Sequence, residues 1–328
     1  LSAAGLVFVA ALLLATTPPD ALTALDPKAV TRYNVIAGAI GIVAALLVTA
    51  TSAVMTRKHP QASGIALAHT VPFLTAASAL RLSQSRWDTA GWGWTGLGLL
   101  IGSLAVLALP KRSRISIAAP LVVGTVLAAT GLLVRLGQLS QAGISAILFA
   151  LVIVLLQVAP WIALAHIPVR ILDADTTEQI PAKGITDQIS TSFMFVVALR
   201  AGGAIAALFL AVALMTAPET RSVSLPLTLI VLGAVSLVLQ TRSIRARVEV
   251  LLGALTGLIV ILVAAVLGAY ADPRTMPWLT LSAIATALVL VITNVVGPRA
   301  RPHLTRIADT ISVLSLFVLL PLAVYLWS

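Results

Sequence analysis

The chain has no cysteine, which excludes disulfides, thiolate catalysis and cysteine-held metal centres. Charge is also scarce. Asp, Glu, Lys and Arg make up 10% of the 328 residues, where a soluble globular domain carries about 25%. Acid is scarcest of all. Asp20, Asp26, Asp88, Asp173, Asp175, Glu178, Asp187, Glu219, Glu249, Asp272 and Asp309 all fall in polar intervals or at the ends of apolar runs. Ion-coupled carriers and proton pumps usually hold a carboxylate near the middle of the bilayer, and none stands there here. Aromatic residues are only 5% and are not interleaved with the basic ones, so the net charge of +10 does not form a nucleic-acid stripe. No Ser-His-Asp set, paired catalytic carboxylates or intramembrane protease motif occurs. His69 and His166 have no second His, Cys or carboxylate at ligand spacing and read as structural histidines of a helix bundle. The glycine-rich run from Gly91 to Gly98 lacks the Lys-Ser/Thr ending of a phosphate loop. No catalytic residue, cofactor or metal is therefore expected.

What the chain does have is long apolar runs. Hydrophobic residues make up 59% of it and the mean hydropathy is +1.07, outside the soluble range. About 20 residues of helix cross a hydrocarbon core about 30 Å thick. On that measure the expected fold is an all-α, polytopic integral membrane protein with about eleven transmembrane helices. Their approximate limits are 1–16, 34–55, 62–82, 92–109, 115–134, 143–166, 192–215, 223–240, 248–270, 276–296 and 309–327. The third, which contains His69 and Pro72, is the least hydrophobic. Proline signals at 18–19, 60, 110, 273 and 298 punctuate the connections. The run beginning at Leu1 has no Met and no basic flank, unlike a signal peptide, so further sequence is expected ahead of it.

Basic residues set the expected orientation. The connections after even-numbered spans hold thirteen: Arg57, Lys58, Lys111, Arg112, Arg114, Arg170, Lys183, Arg242, Arg245, Arg247, Arg299, Arg301 and Arg306. Those after odd-numbered spans hold seven: Lys28, Arg32, Arg81, Arg86, Arg135, Arg221 and Arg274. The bias puts the even connections and the N-terminus in the cytoplasm and the C-terminus outside. Tryptophan agrees. Trp87, Trp92, Trp94, Trp278 and Trp327 fall near the outer boundary and Trp161 towards the inner one, the headgroup levels that indole prefers.

The longest polar interval, Pro168 to Thr191, divides the chain into residues 1–167 with six spans, a cytoplasmic loop at 168–191, and residues 192–328 with five. The loop's local net charge is −2 on a face of otherwise basic loops, which suits docking to a basic surface and repulsion from anionic headgroups. A solvated linker is the alternative. Candidate partner contacts are Asp173, Asp175 and Glu178 here, and Arg242, Arg245 and Arg247 after span eight. Arg200 is the one strong charge well inside a span. It reads as a snorkelling side chain, or otherwise as a buried anchor paired with Asp187, Glu249 or another subunit. Gly98/Gly102 and Gly253/Gly257 are GxxxG pairs that permit close helix approach.

The last third carries a resemblance. The run Arg245 to Gly253 opens span nine, Arg306-Ile-Ala-Asp309 opens span eleven, and Leu319 to Trp327 closes it. With eleven spans and this topology, these runs resemble EccD, the integral membrane component of type VII (ESX) secretion systems. The resemblance implies a non-enzymatic scaffold in the cell (inner) membrane, a homodimer within a larger hetero-oligomer containing EccB-, EccC- and EccE-like subunits. Energy would come from the EccC ATPase, and the family's cytosolic ubiquitin-like domain would precede Leu1. The leading reading is thus a structural subunit of a protein-secretion machine in contact with membrane lipids and no nucleic acid. The alternatives are a secondary transporter of a small solute and, more weakly, a membrane-embedded enzyme acting on lipids.

Overall fold

The computed structural model describes residues 2–15, 27–58, 62–84, 88–109, 117–137, 139–165, 182–219, 222–240, 247–277, 280–281, 284 and 301–327. Among them the chain is helical throughout, with no strand. In chain order the helices are α1 (Ser2–Ala15), α2 (Pro27–Lys58), α3 (Ala62–Leu82), α4 (Thr89–Leu107), α5 (Ala118–Gly137), α6 (Gln141–Ala165), α7 (Ala182–Met215), α8 (Ser224–Gln240), α9 (Arg247–Ala271) and α10 (Arg301–Trp327). A short 3₁₀ turn, Pro273–Thr275, follows α9. Eight of the helices are long and apolar enough to cross a membrane; the apolar parts of α1 and α8, Ala4–Ala15 and Ser224–Leu239, are shorter. The expected tenth span, 276–296, lies mostly outside the described residues, although 276–277, 280–281 and 284 are helical.

Three helices begin well ahead of their apolar runs. α2 starts at Pro27, α7 at Ala182 and α10 at Arg301, against expected starts of 34, 192 and 309. The last ten residues of the interval read as a loop are therefore helical. Hydropathy marks where hydrocarbon begins, whereas a helix continues into water or headgroups wherever no breaker stops it. The sequence puts proline within one residue of each start (Pro27, Pro181, Pro302), where its missing N–H costs nothing and its φ suits a first turn. α4 starts differently, on Asp88, whose Oδ1 accepts from Gly91 N at 2.9 Å as an N-cap.

The chain forms two compact units. One comprises 1–138 and 180–198, the other 139–179 and 199–328. The assignment changes between α5 and α6, again at 179/180 inside the polar interval, and once more within α7.

In the first unit α3 is central, packing against α1, α2 and α4, while α4 packs in turn on α5. That position accounts for its low hydropathy. More than half of its span is buried inside the protein, so it does not need the apolar surface that lipid demands of α2. Phe8 of α1 meets Phe73 of α3 edge to face at 5.4 Å. Hydroxyls are turned inward on their own helices: Thr49, Ser78, Thr95, Ser103 and Thr130 each donate to the carbonyl four residues back at 2.6–2.8 Å. In hydrocarbon, where no water can satisfy them, this is the cheapest arrangement.

In the second unit α8 packs against α6, α9 and α10, and α10 also against α6. Phe149 and Ile153 of α6, Leu229 and Ile230 of α8, and Leu319 of α10 are fully buried. Gln141 Nε2 of α6 donates to Ala213 O of α7 at 2.8 Å, and Gln157 Nε2 of α6 donates to Ser236 Oγ of α8.

Candidate functional site

A scaffold acts through what holds its helices and what it presents, so the residues of interest are glycine contacts and buried charges. α4 carries glycine on two faces. A Cβ on Gly98 would lie 2.5 Å from Thr75 O and 2.7 Å from Ala76 Cα, and one on Gly102 would lie 2.6 Å from Pro72 Cα. This GxxxG pair therefore marks a backbone contact with α3. The other face was not singled out from the sequence. A Cβ on Gly96 would meet Ala128 N of α5, and one on Gly131 of α5 would meet the Gly93 backbone and stand 2.5 Å from Thr89 O. The run that superficially resembles a phosphate loop is thus a helix pressed between two others, where close backbone approach supplies the van der Waals contact that lipid cannot. Of the second pair, Gly257 lies against α8, its Cβ position 2.5 Å from Val238 Cγ2. Gly253 lines a small cavity beside Arg200.

Arg81, counted with the basic residues that follow span three, lies in the last turn of α3 with 6% of its surface exposed. Its Nε donates to Leu14 O of α1 at 2.5 Å and its Nη1 to Asn34 Oδ1 of α2 at 2.9 Å. Its Cζ stands 5.8 Å from the Tyr33 ring centroid, within cation–π range. One guanidinium ties three helices, and it caps a carbonyl that the end of α1 leaves without an intrahelical partner. A usable signal was present in Asn34 and Tyr33, polar groups placed at the start of the second apolar run.

Arg200 is buried among the helices of the second unit. It is 6% exposed, and it borders a cavity of about 20 Å³ with Leu156 of α6, Ala204 of α7, Leu237 of α8, and Leu252, Gly253 and Thr256 of α9. It stands eight residues into the apolar part of α7, Ser192–Met215, a depth of about 12 Å at 1.5 Å per residue. The buried setting makes lysine a poor replacement. Arg200→Lys puts a compact, strongly hydrated ammonium where a weakly hydrated planar fork was. It is expected to lower the unfolding temperature of the detergent-solubilised chain by several degrees. An unchanged melting curve would restore the snorkelling reading.

The other candidates are placed only in part. Asp173, Asp175, Glu178, Arg242 and Arg245 lie outside the described residues, as does His166. Arg247 is the first residue of α9. Asp187 falls in the polar first turns of α7 and His69 in α3. Among the described residues no three His, Cys, Asp or Glu side chains come together as a metal site.

The fold has solved counterparts. A chain of protomer 1 of the ESX-3 core complex matches with a TM-score of 0.69 at 17% identity, over 99% of this chain and 74% of that one. A chain of the MycP5-free ESX-5 inner membrane complex, State II, matches at 0.62 and 15% identity, over 89% of this chain and 71% of that one. No curated protein matches the sequence. At such identities the two structures speak to the fold. The sequence relationship comes from a family model, described as the EccD-like transmembrane domain, which matches residues 1–328, and the chain therefore belongs to the EccD family.

Proposed function

We propose that this chain is a structural membrane subunit of a type VII (ESX) secretion system, embedded as a multi-pass protein of the inner membrane. The observation that carries the reading is the EccD-like family model spanning all 328 residues. The correspondence in fold with membrane components of the ESX-3 and ESX-5 complexes supports it. The role is to hold other secretion components together, and the chain performs no reaction of its own. It works as a homodimer within a larger assembly of EccB-, EccC- and EccE-like subunits, with an EccC-like ATPase supplying the energy. Eleven spans follow from the apolar runs, and a cytoplasmic N-terminus with the C-terminus outside from the charge bias and the tryptophan positions.

In this reading the acidic residues Asp173, Asp175 and Glu178 form a cytoplasmic docking patch, and Arg242, Arg245 and Arg247 form a second one. Charge reversal tests both the docking and the orientation. Asp173→Lys combined with Asp175→Lys should leave membrane insertion intact and reduce co-purification of the ATPase relative to the unaltered chain, more so at low than at moderate salt, because salt screens an exposed ionic contact. Undiminished recovery at both salt levels would make the interval a tether. A chain that purifies alone as a small oligomer, with no ATPase under any condition, would favour a solute carrier.

A further inference from the structure

We draw no further inference here: the strongest candidate, the cavity of about 20 Å³ that Arg200 and Thr256 border among α6, α7, α8 and α9 in the second unit, belongs to the buried-arginine site already described, and nothing in the structure shows what fills it.

Discussion

Gly131→Ala is expected to lower the unfolding temperature of the solubilised chain markedly, and Gly5→Ala to leave it unchanged or raise it slightly. The two substitutions add the same methyl group to a helix. At Gly5 nothing lies within 4 Å of the new carbon, so only propensity acts, and alanine is better than glycine by up to about 1 kcal/mol. At Gly131 the carbon would strike the backbone of Gly93 and Thr89. Backbone cannot rotate aside as a side chain can. α4 and α5 must separate, with an overpacking cost of about 1–3 kcal/mol or more and loss of packing along the rest of their interface. Gly96→Ala should behave like Gly131→Ala, because its new carbon meets the Ala128 backbone. The measurement is thermal unfolding followed by size-exclusion chromatography in one detergent. Equal melting of the Gly5 and Gly131 variants would mean that α4 and α5 are not in backbone contact.

Arg81→Met should loosen α1 while leaving α4 and α5 as they are. The substitution takes the donor from Leu14 O and Asn34 Oδ1. Hydrogen bonds to a charged group are worth about 1.5–3 kcal/mol each, and a buried acceptor left unpaired adds its own penalty. Arg81→Lys should be intermediate, since one ammonium on a flexible stem lacks the fork that reaches both acceptors at once. Hydrogen exchange reads this locally. Amides of residues 2–15 should exchange faster in the methionine variant, those of α4 at an unchanged rate. An unaltered α1 would reduce Arg81 to a bystander.

Much of the molecule was legible in the chain. Long apolar runs separated by proline and clustered Lys and Arg announce membrane helices, because the bilayer imposes one thickness on every span and one sign of charge on one face. The expected spans one to nine and eleven each coincide with a described helix. The runs at Arg245–Gly253, Arg306–Asp309 and Leu319–Trp327 also pointed to the family that the whole-chain match establishes. The Gly98/Gly102 spacing was readable as a helix contact for the same kind of reason. A four-residue interval keeps two positions on one helical face.

What the chain order alone could not supply is which faces meet. Periodicity is a poor guide here, because a helix in lipid is apolar all round and its buried side has no distinct hydropathy. The second glycine face of α4 became visible only when α5 was seen lying against Gly93 and Gly96. Likewise Arg81 and Arg200 read as a loop residue and a snorkelling one, since one sequence position says nothing about neighbours from other helices. Only the packed helices bring Leu14 and Asn34 within reach of one guanidinium and enclose the other among α6, α7, α8 and α9. The division into two units, with changes after α5, at 179/180 and within α7, is likewise a property of contacts and not of hydropathy.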